Sequence, residues 1–154
     1  MTLPQGPVER SKDWYARARL AVNICGFYCL GAGFERPCAT YILTNIVEKP
    51  WQLSAAMCTL FCQQCLGDCA DRSRISWWSD CGPHFRAYLL LCYMATTLMS
   101  MCKLDFSYSF GPEQHFKNEV DGMFGWLRGA LARITKKHIV GSIADLVTRL
   151  QEEP

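Results

Sequence analysis

Apolar positions alternate with polar ones in some stretches of the chain and recur every three or four residues in others. These two periods divide its 154 residues into strands and helices. Leu20, Val22, Ile24 and Phe27 predict a strand over 19–30, with one irregularity near Gly26. The run from Cys38 to Val47 is rich in β-branched and aromatic residues and predicts a returning strand. A Gly- and Pro-bearing turn from Gly31 to Pro37 joins the two, which makes an antiparallel hairpin the expected pairing. After Pro50, residues Leu53, Met57, Leu60 and Phe61 fall on one side at helical spacing and predict a helix over 52–69. Ile75 to Asp80 is a short buried strand, and Pro83 suits the first position of a helix running from His84 to about Met101. Residues 104–110 alternate as a half-buried strand that Gly111-Pro112 ends. Helix is expected again from about Asn118 through Ile134. A last amphipathic helix carrying Ile143, Leu146, Val147 and Leu150 follows the interruption at Gly141 and Ser142. Residues 1–12, with Pro4, Gly6 and Pro7, read as loop.

The order strand, strand, helix, strand, helix, strand, helix, helix describes an α/β fold, a mixed sheet with helices on its faces. The chain has no internal repeat and no low-complexity segment. Three segments are expected: an irregular N-terminal segment 1–18, a core 19–135, and a C-terminal helix and tail 136–154. With 50% apolar residues the chain can bury a core. A net charge of +2 is too mild to point to nucleic acid by itself, so that partner must be argued from local charge. The uncharged run from Ala87 to Cys102 falls short of the roughly 18–20 apolar residues of a membrane span and reads as a core helix. Ten cysteines would suit a disulfide scaffold. The opening residues, however, contain no apolar leader. Cys25, Cys29, Cys58, Cys92 and Cys102 also lie inside apolar runs, where a thiol acts as a small hydrophobe. Reduced thiols in an intracellular compartment, without secretion, are expected.

Three groups of residues offer chemistry. Asp80 ends a buried strand, where open α/β sheets place ligands and metals, and equally suits the cap of a helix beginning at Pro83. A second carboxylate, Asp121, opens a helix, and two carboxylates from different elements meet the needs of magnesium. Cys58, Cys62, Cys65 and Cys69 recur at helical spacing. On one continuous helix they fit a row of thiols better than a four-ligand zinc site. Arg128, Arg133, Lys136, Lys137 and His138 form a basic run that is either a solvated helix face or a set of phosphate contacts. Trp77 and Trp78 fit a buried strand better than a stacking platform.

The segment Trp78-Ser79-Asp80-Cys81-Gly82-Pro83-His84-Phe85-Arg86 is followed by an apolar helix and strand. Gly111-Pro112-Glu113-Gln114-His115-Phe116-Lys117-Asn118-Glu119-Val120-Asp121-Gly122 comes next. Together they resemble the second half of a DDE-type transposase or integrase core. Transposon-derived eukaryotic sequences carry a similar Ser-Asp-x-Gly-x-His-Phe element and, later, His-x-Lys-x-x-x-Asp-Gly. The resemblance covers roughly residues 19–134. It implies a ribonuclease-H-like mixed sheet flanked by helices, and Mg2+- or Mn2+-dependent cleavage and strand transfer of DNA. Asp80 and Asp121 correspond to the second and third metal-binding acids, with Glu119 the rival for the third. His115 and Lys117 correspond to the polar pair before it. His84, Arg86, Arg128, Arg133, Lys136 and Lys137 are the expected DNA contacts. The family's first strand, with its first catalytic aspartate, has no counterpart here and is expected to lie before Met1. Weak or no catalysis is therefore expected of the chain as it stands. The resemblance implies DNA as partner, allows a homo-oligomer, and implies a nuclear location in a eukaryote; it calls for no membrane and no organic cofactor. A non-catalytic, domesticated DNA-binding or interaction protein is the alternative, and a cysteine-based zinc or redox protein a second one.

Overall fold

The computed structural model describes residues 2–4, 19–31, 37–48, 50–66, 74–103, 105–111 and 119–154. It is a mixed α/β structure of small sheets and helices, divided into two compact units. The first unit comprises residues 1–26, 41–47 and 119–154, and the second 27–40 and 48–118.

In the first unit, β1 (Thr2–Pro4) pairs antiparallel with β2 (Arg19–Ala21), Leu3 facing Leu20. The loop expected over 1–12 therefore contains a strand. Pro4 ends it, where the missing N–H is tolerated. The single strand expected over 19–30 breaks at Val22, not at Gly26, and continues as β3 (Asn23–Cys29), which pairs with β4 (Cys38–Thr44). Gly26 lies inside β3 because a side chain there would meet the Phe124 ring, 2.9 Å from the place of a Cβ.

Helix α4 of this unit spans Glu119–Lys137. Its buried positions, Met123, Leu127, Ala130, Leu131 and Ile134, recur at the three- and four-residue spacing of one helix face. Glu119 and Asp121 in the first turn and Lys136 and Lys137 in the last complement the helix dipole. Helix α5 (Ile143–Glu152) begins where Gly141-Ser142 predicts. Ser142 Oγ accepts from the Asp145 N–H at 3.1 Å, and Asp145 Oδ2 accepts from the Gly141 N–H at 3.3 Å. Val22, Leu127, Leu131, Ile134, Val140 and Leu146 close into one buried cluster. Tyr41 ties β4 to α4, donating to the Met123 carbonyl at 2.6 Å.

In the second unit, α1 (Trp51–Phe61) widens into a π-helical turn, Cys62–Leu66. The helix expected to start at Pro83 starts instead at Tyr88. Helix α2 (Tyr88–Tyr93) passes through a π-helical stretch, Met94–Leu98, into α3 (Met99–Cys102). Thr96 Oγ1 donates back to the Cys92 carbonyl at 2.8 Å at that widening, a bond that competes with regular helix. Leu90, Met94 and Leu98 are buried along the run, as expected of a core helix. No helix among the described residues is long and apolar enough to cross a membrane. Lys103 ends α3 in the left-handed region, φ 53° and ψ 38°, its N–H donating to the Met99 carbonyl.

Strands β5 (Arg74–Ser79) and β6 (Asp105–Phe110) pair in parallel, Ser79 facing Phe110. The alternation of β5 buries Trp77 and leaves Trp78 58% exposed, so only the first of the two tryptophans is core. Phe27 stacks on Phe61 at 4.3 Å, and Trp77 meets both rings edge-on at 5.8 and 6.0 Å. This aromatic cluster joins Phe27, at the end of β3 that belongs to this unit, to α1 and β5.

Leu127→Ala is expected to cost about 3 kcal/mol, because it leaves a cavity where the side chain is 1% exposed; urea unfolding measures it. Lys103→Gly is expected to stabilise by about 1 kcal/mol in the same assay, because glycine adopts the left-handed cap without a Cβ clash.

Candidate active site

The parallel strands of the second unit end together. Beyond Ser79 and Phe110 the two segments are fastened at one edge: Gly111 N–H donates to the Ser79 carbonyl at 2.9 Å, and Cys81 Sγ donates to the Gly111 carbonyl at 2.9 Å. Tyr108 Oη donates to Ser79 Oγ at 3.0 Å, and Ser79 Oγ donates to the Asp80 carbonyl at 3.1 Å. Ser79 is buried, so its hydroxyl is satisfied within the protein.

Asp80 stands exposed at this carboxyl edge. Its Oδ1 accepts from the Gly82 N–H at 3.1 Å, a local turn that presents the carboxylate outward. The cap reading of Asp80 is thereby corrected: the carboxylate closes the Asp80–Gly82 turn, whereas α2 begins after Ala87, with no side-chain cap. The Gly82 carbonyl takes the N–H groups of Phe85 and Arg86 at 2.9 and 3.1 Å, so Pro83 to Phe85 form a turn of their own. A Cβ on Gly82 would lie 2.9 Å from His84 Cε1 and 3.0 Å from Asp80 Oδ1. The glycine thus lets the imidazole and the carboxylate flank the same backbone atom. His84 also packs on Phe85, ring centroids 4.3 Å apart. Asp80 and His84 therefore stand on either side of Gly82 in one turn, and Arg86 follows on the exposed side.

Asp121 and its rival Glu119 are both exposed in the first turn of α4. Asp80 and Asp121 belong to different units. His115 and Lys117 lie outside the described residues. Among the described residues, no three His, Cys, Asp or Glu side chains gather around a metal-sized site.

The basic residues of α4 divide in role. Arg128, Arg133, Lys136 and Lys137 are all exposed and, at about 100° per residue, span about half of the helix circumference opposite the buried stripe. Arg133 Nε already donates to Glu153 Oε2 at 2.7 Å. Trp126, 43% exposed, borders this face and stacks on Tyr41 at 6.4 Å.

The nine described cysteines form no disulfide among themselves. Cys58 and Cys62 are buried, Cys65 contacts Thr40 Oγ1 at 3.7 Å, and Cys69 lies outside the described residues. An apolar cavity of about 280 Å3 opens between the α2–α3 run and β6, lined by Leu91, Met94, Phe106 and Tyr108 among others. Alternation along β6 marks Tyr108 as inward-facing. Its bond to Ser79 carries no separate signal in the sequence.

Asp80→Ala is expected to lower stability by about 1 kcal/mol by opening the Asp80–Gly82 turn, and Asp80→Asn to stay near wild type because its amide oxygen still accepts that bond. Thermal unfolding of the two variants side by side checks this.

Compared with known families, curated proteins and solved structures, the chain matches none.

Proposed function

We propose that the chain is a ribonuclease-H-like core of the DDE transposase type that handles DNA. The observation carrying this reading is the Asp80–His84 turn at the carboxyl edge of the β5–β6 pair, bonded to the end of β6 by Ser79 and Cys81. Open α/β sheets present reactive groups at such an edge. Asp121, at the start of the helix that follows β6 in the chain, supports the same reading.

In this reading Asp80 and Asp121 would each offer a carboxylate to Mg2+ or Mn2+. Their carboxylate oxygens are the hard donors that such ions take, and one or two carboxylates suffice when waters and substrate phosphates complete the shell. When bound, the metal supplies Lewis-acid stabilisation of a phosphodiester. His84 and Arg86 lie beside Asp80 to meet the backbone of a nucleic acid. Arg128, Lys136 and Lys137 offer phosphate contacts, which fix position and dominate affinity. His115 and Lys117 take the polar positions before Asp121. A nuclear location and a homo-oligomeric assembly accompany this reading.

A second reading, a non-catalytic DNA-binding protein on the same scaffold, is favoured by one observation: the basic face of α4 is complete without the acids.

Binding to duplex DNA across a salt series, and nicking of supercoiled DNA with Mg2+ or Mn2+, test both. Affinity is expected to fall steeply with salt, and Lys136→Gln with Lys137→Gln to weaken it alike on all sequences and flatten the salt slope by about 2. Slow metal-dependent nicking lost in Asp80→Asn supports the proposal. Metal-independent binding that survives loss of both aspartates, without nicking, supports the second reading. Salt-insensitive or absent binding overturns both.

A further inference from the structure

Tyr41 lies in the part of β4 that belongs to the first unit, and with Trp126 of α4 it makes one aromatic pair. The ring centroids are 6.4 Å apart and the planes 18° from parallel. Tyr41 is fixed at its far end, where its hydroxyl donates to the Met123 carbonyl at 2.6 Å. Its ring also meets Phe124 edge-on at 6.0 Å. Trp126 therefore leans on a ring that is itself held by two contacts, yet stays 43% exposed. A large ring held in place in this way loses little freedom on taking a partner, so it suits a stacking platform.

What surrounds Trp126 on the helix says which partner fits. Trp126, Arg133 and Lys137 stand at i, i+7 and i+11, within about 40° of one another around α4. Gly122 and Gly129, four residues before Trp126 and three after it, are its neighbours on that face. A Cβ on Gly122 would meet no described atom within 4 Å, and one on Gly129 would meet Arg133 Nη1 at 3.4 Å. A flat group laid against Trp126 thus finds bare backbone at one neighbouring position and a guanidinium beside the other. Arg133 Nε is engaged by Glu153, which leaves the other guanidinium N–H groups to donate. Lys136 and Lys137 are exposed and have no carboxylate partner among the described residues. From Trp126 to Lys137 the helix rises about 16 Å, the length of a few nucleotides at roughly 3.4 Å each.

We propose that this face of α4 binds single-stranded DNA, with one unpaired base stacked on Trp126 and the neighbouring phosphates held by Arg133, Lys136 and Lys137. An aromatic ring takes any base on its face, and cations track the backbone beside it. A paired base is enclosed in the duplex stack and cannot lie on the ring, so Trp126 selects a strand whose bases are free. Tyr41 touches no base and holds the platform from behind. The inference rests on the reading of the chain as one that handles DNA, and adds which form of DNA this face takes.

The test titrates the full chain with a short oligo(dT), an abasic strand of the same length and a duplex, reading anisotropy and tryptophan emission together. Oligo(dT) is expected to bind about tenfold tighter than the abasic strand and to quench the emission, which the abasic strand leaves unchanged. Trp126→Ala should bring oligo(dT) down to the level of the abasic strand, whose own affinity stays within about twofold. Trp126→Phe should keep most of the preference, because a ring remains, and lose the quench. Lys137→Gln should weaken both strands alike, because it removes a phosphate contact. The wild-type comparison and Trp126→Phe do not depend on the alanine variant folding. Equal wild-type affinity for the two strands overturns the proposal, as does an unchanged quench in Trp126→Phe. Duplex binding without any gain from bases removes this inference and leaves the DNA reading standing. Failure to bind any of the three removes both.

Discussion

One hydrogen bond, from the Gly111 N–H to the Ser79 carbonyl, closes the parallel ladder of β5 and β6, and the candidate site hangs from it. Parallel strands need a long crossover, here the run from the Asp80 turn through α2 and α3. The ladder therefore forms only when that helical run packs back on its own strands. Leu90, Met94 and Leu98 supply the packing, and the Phe27–Phe61–Trp77 cluster anchors β5 on the other side. Once the register is set, Ser79 and Phe110 come level, Cys81 reaches Gly111, and Asp80 has one place to stand.

The two units bury their cores by different means. The first relies on aliphatic side chains from two helices and short strands, with a tyrosine hydroxyl fixing β4 to α4. The second relies on aromatic rings and cysteines, whose small apolar side chains fill the gaps between larger groups. Among the described cysteines, Cys58 and Cys62 are the two that lie fully inside that core.

Much of this was legible in the sequence. The alternation of Ile75 to Ser79 and of Asp105 to Phe110 marks two strands, and the structure contains both. Gly141-Ser142 announces α5, since a serine before an apolar periodic run carries its own capping chemistry. The short strand at Thr2–Pro4 was hidden, because proline and glycine signals nearby outweigh three residues of pairing. Pro83 misled about the start of α2. Proline suits a helix start and a tight turn alike, and the Asp80–Gly82 bond decides for the turn. The placement of Asp80 at a strand end could be read from its own neighbours. Its hydrogen-bonded support could not, since Tyr108 and Gly111 are about thirty residues away in the chain.

The widened stretch from Met94 to Leu98 has a consequence for how this fold tolerates change in length. Two residues of the sequence, Lys103 and Leu104, separate α3 from β6. In a regular helix, one extra residue would turn everything after it by about 100° and carry β6 out of step with β5, turning its inward faces outward. A π-helical turn takes in an additional residue within its own circumference and returns the helix to its former phase. An insertion taken up there as a π-helical turn would leave the strand that follows in register with β5.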